Sequence, residues 1–369
     1  MPDSFSRLAA WSRLQMPRTQ RALQQLPDLH GVRMAMSMHL DIKMLPLVEG
    51  LREKGAELYI TTCNPTTVRN EVVDAMRDCG AEVNAWKDMP MSAYQAAIQQ
   101  ALAWEPTHLC EMGADFTYEI QQQQRQVPNI IASLEATGSG VNRLQGILPT
   151  YPIFNWDDLP VKEGLHNRHM VGLTTWHAFF NTTRLSLHEK KVLIVGYGTV
   201  GQGLADSARA YGGQIMVAEA DPARRVQAAY DGWLTGSVEE LAPLADVICT
   251  ATGAHHVLPW SVLQQLKDGC FLLNSGHRQD EIEHEALDAC PHETALPLVE
   301  GYTLPSGHKV YLIANGAMAN LTAGEGDSLN AFDVTLAVMT TGIGHIVGEG
   351  SRASAGVYLL PQKVWQPAL

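Results

Sequence analysis

The sequence predicts an α/β protein built from two doubly wound parallel-sheet domains. Its 369 residues exceed the ~100 to 200 residues of a usual domain, so two packed domains are expected. Hydrophobic residues make up 46% of the chain and charged residues 18%, which is typical of a chain that folds throughout. Short apolar runs alternate with amphipathic segments, and this order of strands and helices forms parallel sheets.

Four apolar runs in the first half of the chain predict buried strands. They cover residues 32–38, 57–62, 107–111 and 129–134. Gly55 ends the helical pattern before the second run, and that run leads into a Cys-Asn-Pro turn at its carboxyl end. Because ligands of open parallel sheets bind at such strand ends, we expect the site of the first domain there.

Residues 148–172 interrupt this alternation with three prolines and no sustained periodicity. We interpret them as a crossing between domains. A helix is predicted over about residues 173–183, and a second alternation of strands and helices runs from residue 191 to about residue 310. The second half therefore predicts a second α/β domain.

Charge and cysteine usage exclude several classes of protein. A net charge of −13 and the lack of long Lys/Arg runs argue against nucleic-acid binding. The six cysteines are scattered without C-x-x-C spacing, so we expect reduced thiols and no metal site. No signal peptide is visible, and no apolar stretch approaches the ~18 residues that span a bilayer. We expect a cytoplasmic protein that does not bind membranes.

A glycine-rich turn opens the second domain. A buried strand over residues 192–195 runs into the spacing G-x-G-x-x-G, and a helix follows. In this motif the glycines allow a tight turn, the approach of phosphates to the backbone and close packing of helix on strand, and the helix N-terminus holds a pyrophosphate. The candidate cofactor-binding residues of the turn are Gly196, Gly198, Thr199, Val200 and Gly201.

The acid that accompanies this motif is Glu219, which lies 18 residues beyond Gly201 at the end of the next strand. Its carboxylate would accept hydrogen bonds from ribose hydroxyls and repel a 2′-phosphate. Thr252 follows a later strand and is a further candidate contact, although a polar strand end without a ligand is an equal alternative for it. The second domain is therefore predicted to be a Rossmann domain that binds NAD in preference to NADP.

Nine segments, taken together, resemble the adenosylhomocysteinase family. They are MSMHLDIK, TTCNPTT, EMGADFT, LEATGSGV, PIFNWDDLPVKEGLHN, GYGTVGQG, AEADP, NSGH and NGAMANL. The resemblance covers most of the chain. It implies a substrate-binding domain over residues 1–165, an NAD-binding domain over residues 166–344 and a C-terminal helix, at about residues 345–369, that returns to the first domain. It also implies a homodimer or homotetramer.

The resemblance further implies a net hydrolysis that needs NAD. Oxidation of the ribose 3′-hydroxyl to a ketone makes the 4′-proton acidic, so that the 5′ thioether leaves by elimination. Water then adds to the enone, the ketone is reduced again, and NAD ends unchanged in a water-poor cleft. This scheme needs a base at the 3′ oxygen, an acid/base near C4′ and C5′, and groups that clamp the sugar.

The candidate catalytic residues come from this resemblance. Lys162 matches the lysine that assists 3′ oxidation, and Asn167 matches a neighbouring asparagine. His39 and Asp115 match the acid/base pair beside the leaving group. His277 matches the histidine of the family's N-x-G-H motif. Without the matched motifs, these residues would be ordinary structural or surface groups.

Binding residues are carried over in the same way. Thr137 and Ser139 match hydroxyls of the substrate domain that contact NAD, and Asn320 matches a cofactor-binding asparagine. Cys63 and Asn64 match a Cys-Asn turn at the cleft, so both are candidate substrate contacts.

Four departures from the family pattern affect sugar and base contacts. Ala136 replaces a catalytic glutamate, and the preceding Glu135 is expected to point elsewhere. His166 replaces an aspartate and stays a candidate catalytic residue. Asp41 and Lys43 stand where the family has a hydroxyl residue and an acidic or amide residue for adenine recognition, so both are candidate substrate contacts.

A fifth departure is Asp327, which stands in place of a histidine in the family's adenine and gate region. Lys43 donates hydrogen bonds where the family accepts one from the adenine amino group. We therefore expect S-adenosylhomocysteine to be a poor substrate, and a nucleoside with a 6-oxo base or an altered sugar to fit better.

The first interpretation is an NAD-dependent enzyme that acts on a nucleoside or nucleoside thioether by transient 3′ oxidation and elimination or addition at C5′. A nucleoside-tailoring dehydratase or epimerase of the same fold is an alternative. A catalytically silent NAD-binding regulator would keep Glu219 and the glycines without an intact base. A 2-hydroxy-acid dehydrogenase would leave the motifs of the first half unexplained.

Overall fold

The computed structural model describes residues 4–122 and 129–369. The chain forms two compact units: Met1–Lys162 together with Leu329–Leu369, and Glu163–Ser328. The limits predicted from the sequence, after residues 165 and 344, stand a few residues beyond the first of these boundaries and 16 residues beyond the second.

The strands are β1 (Arg33–Met38), β2 (Glu57–Thr62), β3 (Glu82–Val83), β4 (His108–Glu111), β5 (Ala132–Glu135), β6 (Pro152–Asn155), β7 (Lys191–Val195), β8 (Gln214–Ala218), β9 (Leu234–Gly236), β10 (Val247–Thr250), β11 (Cys270–Asn274), β12 (His292–Leu296), β13 (Val299–Thr303), β14 (Lys309–Ile313) and β15 (Gly356–Leu359).

Sixteen α-helices and one π-helix are present in the described residues. The α-helices are α1 (Ser4–Gln15), α2 (Pro17–Gln25), α3 (Leu45–Glu53), α4 (Asn70–Asp78), α5 (Met91–Ala103), α6 (Asp115–Gln122), α7 (Gly138–Leu144), α8 (Val171–Thr183), α9 (Thr199–Ala210), α10 (Pro222–Tyr230), α11 (Val238–Leu241), α12 (Trp260–Leu263), α13 (His284–Asp288), α14 (Ala319–Thr322), α15 (Leu329–Val347) and α16 (Gln362–Trp365). The π-helix covers Lys162–Met170 and leads directly into α8.

The sheet of the first unit is parallel throughout. Its strand order is β3-β2-β1-β4-β5-β6-β15. Met36 packs into the core on one face and Ala35 into the core on the other, as expected for parallel strands covered on both faces. The chain order reverses between β1 and β4, so the carboxyl ends of these two strands mark the crevice where ligands bind in such sheets.

The sheet of the second unit has the order β12-β13-β14-β11-β10-β7-β8-β9. Six adjacent strands are parallel and follow the Rossmann order: β14, β11, β10, β7, β8 and β9. Strands β12 and β13 add an antiparallel edge. Ile194 and Leu193 pack into cores on opposite faces. The predicted fold class, with two doubly wound parallel-sheet domains and a Rossmann second domain, is confirmed.

Residues 148–172 contain more regular structure than their prolines indicated. They include β6 and the π-helix, and β6 joins the first sheet beside β5. The sequence of the π-helix, KEGLHNRHM, has neither the periodicity of a strand nor that of a regular α-helix, so no sequence pattern predicted it. Helix α15, which lies within the second domain predicted from the sequence, packs against α2 and β5 of the first unit.

Two glycines fix how α8 packs on α9 in the second unit. A Cβ on Gly203 would lie 1.7 Å from the backbone oxygen of Arg168, and a Cβ on Gly172 would lie 2.4 Å from the carbonyl carbon of Gly203. Both distances are far inside van der Waals contact, so neither position accepts a side chain. No helix in residues 4–122 and 129–369 combines the length and apolar character needed to cross a membrane.

Candidate active site and cofactor cleft

A cleft of about 660 Å³ lies in the second unit at the carboxyl ends of β7, β8 and β10. This is the point where the strand order reverses, as expected for a dinucleotide site. Six of the ten predicted cofactor-binding residues line the cleft: Gly196, Gly198, Thr199, Val200, Glu219 and Thr252. Arg224 and Arg225 line it as well, and these two residues were not predicted from the sequence.

The glycines of the turn are required by close backbone contacts. Gly196 has φ +98°, and a Cβ there would lie 2.8 Å from the backbone oxygen of Ala251. A Cβ on Gly201 would lie 2.0 Å from the backbone oxygen of Gly196, so Gly201 lies behind the cleft and brings α9 close to the turn. The turn therefore leaves its backbone open to a ligand, as the motif predicts.

Glu219 is fixed by two backbone groups. Tyr197 donates its N–H to Oε2 at 2.5 Å, and Asp221 donates its N–H to Oε1 at 2.8 Å. At the start of α9, the hydroxyl of Thr199 donates to Glu163 at 2.9 Å. These bonds hold the acid and the phosphate-binding turn in one arrangement.

A buried acid, Glu281, organises the loop after β10. Its carboxylate accepts hydrogen bonds from the N–H and hydroxyl of Thr252 at 2.9 and 2.8 Å and from the N–H of Gly253 at 2.7 Å. Burial raises the pKa of Glu281. Glu281 thus positions Thr252, and its role was not apparent from the sequence because it lies 29 residues away.

The N-x-G-H motif begins at Asn274, which is fully buried at the end of β11. Its side-chain amide donates to the backbone oxygens of Arg278 at 2.7 Å and Gly316 at 2.9 Å, and its oxygen accepts from the N–H of Gly276 at 2.7 Å. These bonds shape the loop that presents His277, which is exposed.

Asn320 lies on α14, and its side chain shows whether the site fits NAD. The residue is 3% exposed. Within the described residues, its Oδ1 atom is buried without a hydrogen-bond donor. A buried acceptor of this kind costs free energy unless a ligand supplies a donor, such as a carboxamide NH₂. Together with the open glycine turn, Asn320 therefore fits a dinucleotide. No group of three or more metal-ligating side chains is placed to hold a metal ion in the described part of the chain.

The first unit holds the candidate groups for acid/base chemistry at the ends of β1 and β2. His39 follows β1, and its Nδ1 lies 2.9 Å from the hydroxyl of Thr67. Asn64 caps the 3₁₀ turn Pro65–Thr67, accepting from the N–H of Thr66 at 3.0 Å. Cys63 is buried, and burial together with the charge of Asp115 raises its pKa well above the ordinary value. Its surroundings therefore favour the neutral thiol over the thiolate.

Asp115 begins α6 after β4, and three side chains hold its carboxylate. Arg143 on α7 donates to Oδ1 at 2.7 Å, while Tyr94 donates to Oδ2 at 2.6 Å and Ser37 contacts Oδ2 at 3.5 Å. Burial beside this carboxylate raises the pKa of Tyr94, so the phenol stays a donor. Arg143 and Tyr94 were not found from the sequence, because each lies on a helix without a distinguishing motif.

Glu135 points away from the position of Ala136, as expected. Its carboxylate accepts from the N–H groups of Gly113 at 3.0 Å and Ala114 at 2.9 Å, and from the N–H and hydroxyl of Thr137 at 2.8 and 2.7 Å. Thr137 in turn caps α7, and its hydroxyl lies 3.1 Å from that of Ser139. Glu135 therefore supports the loops of the site instead of facing a ligand.

Lys162 is 8% exposed at the first position of the π-helix. Its Nζ lies 3.3 Å from Oδ1 of Asp157, which fixes the ammonium. Asn167 lies on the same π-helix and is half-buried. π-helical segments are frequent at functional sites, so this irregular segment is consistent with a catalytic Lys162.

Lys43 and Asp41 form a buried ion pair after β1. Nζ of Lys43 lies 3.0 Å from Oδ2 of Asp41, and the two side chains are 4% and 16% exposed. Oδ1 of Asp41 accepts from the backbone N–H of Lys43 at 2.8 Å. The ring of Phe332, on α15, lies 5.8 Å from the ammonium. The two predicted substrate contacts therefore form one unit.

His166 and Asp327 form an ion pair in the second unit. The Asp327 side chain is 3% exposed and the His166 side chain 20%. The sequence indicated each of these residues as a separate departure from the family pattern. It gave no sign that the two are in contact.

Comparison with known proteins agrees with this arrangement. A family model described as S-adenosyl-L-homocysteine hydrolase matches residues 12–147, and one described as its NAD binding domain matches residues 176–326. S-inosyl-L-homocysteine hydrolase of Methanopyrus kandleri is 32% identical over 96% of this chain and 86% of its own. The chain belongs to the adenosylhomocysteinase family. Adenosylhomocysteinase of Aeropyrum pernix is 32% identical over 94% of this chain and 86% of its own, and S-inosyl-L-homocysteine hydrolase of Methanothermobacter thermautotrophicus is 30% identical over 96% and 87%.

Membership of the adenosylhomocysteinase family confirms two expectations from the sequence. The matched NAD-binding domain confirms NAD as the cofactor, and the chain is an NAD-dependent enzyme. Relatives with both names match at nearly the same identity, so overall similarity does not select one substrate. That choice depends on the residues of the site.

Proposed function

We propose that this enzyme cleaves a nucleoside thioether with a 6-oxopurine base, by transient 3′ oxidation, elimination at C5′ and addition of water. The observation that carries the proposal is the buried ion pair of Lys43 and Asp41. S-inosylhomocysteine is a compound of this class. A standard S-adenosylhomocysteine hydrolase would need an acceptor where this chain has an ammonium.

An ammonium has donors and no acceptor. It can donate to the carbonyl oxygen of a 6-oxopurine, whereas the adenine amino group is itself a donor and would face it without a bond. A buried polar group left without a partner costs ~1 to 3 kcal/mol, or roughly ten- to a hundredfold in binding. Lys43 is buried, so water does not relieve this mismatch.

Asp41 is badly placed to supply the missing acceptor for adenine. Its Oδ2 pairs with the Lys43 ammonium at 3.0 Å, and its Oδ1 accepts the Lys43 backbone N–H at 2.8 Å. Turning Asp41 toward a base would leave the Lys43 ammonium buried with a weakened partner, which is strongly unfavourable. The pair therefore acts as a donor toward the base.

The sugar contacts also differ from the family pattern. Ala136 is 2% exposed and has no polar side chain. Glu135 cannot replace the missing carboxylate, because it accepts four hydrogen bonds from Gly113, Ala114 and Thr137. The proposed substrate is therefore held at its sugar by fewer carboxylates than the family pattern provides.

The acid/base groups support the chemistry of a net hydrolysis. NAD, when bound, supplies the oxidation of the 3′ carbon and its later reversal. Lys162, which lies 3.3 Å from Asp157, takes the 3′ hydroxyl proton after its ammonium has first released a proton. The groups that move protons at C4′ and C5′ are His39 and Asp115. Arg143 and Tyr94 hold the carboxylate of Asp115 in place.

Two of the relatives named above are S-inosyl-L-homocysteine hydrolases, which act on a thioether with a 6-oxo base. Their similarity over 96% of this chain supports a substrate of that class. It does not by itself outweigh the similarity to adenosylhomocysteinases, so the direct test compares the two substrates.

The test uses the purified enzyme with NAD and measures kcat/KM for S-inosyl- and S-adenosylhomocysteine by released homocysteine. We expect the inosyl compound to be preferred at least tenfold. Lys43→Met should abolish most of that preference, because the donor is lost while the side chain keeps a similar length. The matched control is Lys309→Met, which removes an exposed ammonium paired with Glu293 at 2.9 Å.

A preference for S-adenosylhomocysteine would overturn the proposal, as would an unchanged preference in Lys43→Met. Product analysis separates hydrolysis from the tailoring alternative. An unsaturated or epimerised nucleoside as the final product, with no added water, would identify a dehydratase or epimerase of the same fold.

A further inference from the structure

Helix α6 begins at Asp115, but a different acid caps it. The first N–H groups of a helix lack partners within the helix, and an aspartate at the start of a helix commonly accepts hydrogen bonds from them. Here Oε2 of Glu111, at the end of β4, accepts from the N–H groups of Phe116 at 2.7 Å and Thr117 at 3.1 Å. Glu111 is 1% exposed, so water does not compete for these bonds. The carboxylate of Asp115 is thereby left to bind Arg143, at 2.7 Å.

A second buried acid holds the residues just before Asp115. Glu135, at the end of β5, accepts from the N–H groups of Gly113 at 3.0 Å and Ala114 at 2.9 Å. Ala114 has φ +55°, in the left-handed region that residues with a side chain rarely adopt. Strained backbone of this kind persists only where its surroundings fix it, and it is concentrated at functional sites. The bonds to Glu135 therefore hold a turn that would otherwise relax.

Glu135 also ties this turn to the helix of Arg143. Its Oε1 accepts from the N–H and the hydroxyl of Thr137 at 2.8 and 2.7 Å, and that hydroxyl caps α7 by accepting from the N–H of Gly140 at 3.0 Å. A Cβ on Gly140 would lie 2.2 Å from Oε1 of Glu135, so the helix packs directly on the carboxylate. Because Arg143 lies on α7, one carboxylate fixes both members of the pair of Asp115 and Arg143.

We propose that Glu111 and Glu135 are positioning residues for Asp115 in the elimination step. Glu111 caps α6 so that Asp115 does not have to, and Glu135 fixes Asp115 and Arg143 relative to each other. The role of Asp115 itself rests on the proposed function. Both acids act through Asp115, and neither is a catalytic residue.

The kinetic test follows NADH absorbance and released homocysteine separately, in single turnovers of the enzyme with NAD and the preferred thioether. In Glu111→Ala, Asp115 should turn to cap α6, so homocysteine release should slow about tenfold or more while reduction of NAD keeps its rate. In an Asp115→Ala background the same substitution should cost less than about threefold, because its effect passes through Asp115. A merely structural role would slow release by the same factor in both backgrounds.

Conservative variants test the two acids separately. Glu111→Gln should keep nearly the parent rates. Its amide oxygen can accept the two N–H groups, and the hydroxyls of Thr117 and Ser133, at 2.5 and 3.3 Å from Oε1, can accept from its NH₂. Glu135→Gln should slow homocysteine release about tenfold, because backbone N–H groups face both of its oxygens and cannot accept from an NH₂.

The matched control is Asp333→Ala. Asp333 is also 1% exposed and caps a helix of the same unit, since it accepts from the N–H groups of Arg18 at 3.0 Å and Thr19 at 2.8 Å at the start of α2. Its loss should lower the free energy of unfolding, as the loss of Glu111 does, but leave the ratio of the two phases unchanged. Urea unfolding and NAD binding of every variant show that it is folded.

A crystal structure of Glu111→Ala gives a test that needs no turnover. The carboxylate of Asp115 should lie within hydrogen-bond distance of the N–H of Thr117 and no longer contact Arg143. If the parent enzyme cleaves neither thioether, the proposed function fails, and this structure still decides whether Glu111 frees Asp115 from capping. An unmoved Asp115, equal factors in the two backgrounds, or a parent rate of release in Glu135→Gln would overturn the inference.

Discussion

The backbone N–H of Tyr197 donates a hydrogen bond of 2.5 Å to Oε2 of Glu219. With the N–H of Asp221 holding Oε1 at 2.8 Å, both carboxylate oxygens are anchored at the edge of the cofactor cleft. The carboxylate is therefore held in place before NAD binds. Its charge opposes a 2′-phosphate at the adenosine ribose.

The first prediction concerns cofactor choice. The enzyme should bind NAD in preference to NADP, and Glu219→Gln should narrow that preference by about tenfold or more, because a charge repulsion of ~1 to 4 kcal/mol is removed. Fluorescence titration with the two cofactors measures the ratio. Glu239→Gln on α11, which removes an exposed acid, is the control. Comparable affinities of the parent chain for NAD and NADP would contradict the prediction.

The second prediction concerns Lys162. Lys162→Ala should block reduction of bound NAD by substrate, because the hydroxyl proton then has no acceptor as the hydride leaves. Asp157→Asn, which loses the 3.3 Å ion pair, should slow the same step without abolishing it. NADH absorbance in a single turnover follows the step directly, and Lys309→Ala is the surface control. A normal rate in Lys162→Ala would make this lysine a bystander.

The third prediction separates elimination from oxidation. Arg143→Met removes the 2.7 Å bond to Asp115, so release of the thioether should slow about ten- to a hundredfold while reduction of NAD continues. The expected signature is NADH that accumulates before homocysteine appears. Arg77→Met, which breaks the exposed pair with Asp74 on α4, should change neither phase. Equal slowing of both phases would show that Arg143 only supports the fold.

The sequence predicted the parts of the fold that have a local pattern. The strand over Glu57–Thr62 was placed at its observed bounds, and the glycine turn after β7 was placed with its cofactor residues, because apolar runs and glycine spacing are local signals. The strand expected at residues 129–134 begins three residues later, at Ala132. Helix α15 was assigned to the second domain instead of the first unit, because its packing partners, α2 and β5, are distant in sequence.

The candidate site divides in the same way. Residues within motifs, such as Glu219 and Asp115, were named as candidates from the sequence. Their supports, Arg143, Tyr94 and Glu281, were not, since each acts across 20 or more residues of chain and has no motif of its own. The contact of His166 with Asp327 is of this kind, because only the tertiary structure shows that two separate departures are neighbours.

The last prediction follows from two buried acids on adjacent strands. Glu111 of β4 and Glu135 of β5 are paired in register, and each is 1% exposed. Burial is the main cause that raises the pKa of Glu111 to about 7 and that of Glu135 to about 8, and the charge of Glu111 adds to the latter. The folded chain therefore keeps these protons to higher pH than the unfolded chain does.

Since the native state binds more protons than the unfolded state between about pH 5 and pH 8, the free energy of unfolding should fall as pH rises through this window. The stabilising contribution is complete at the acid end of this window and is lost as the two acids ionise. Glu135→Gln should flatten the dependence, although it lowers stability overall because its amide NH₂ meets the N–H of Ala114 or Gly113. Urea unfolding across this pH range measures the slope, and Glu293→Gln, an exposed acid, is the control. A free energy of unfolding that rises with pH in the parent chain, or a slope that Glu135→Gln leaves intact, would show that these acids are already ionised in the folded state.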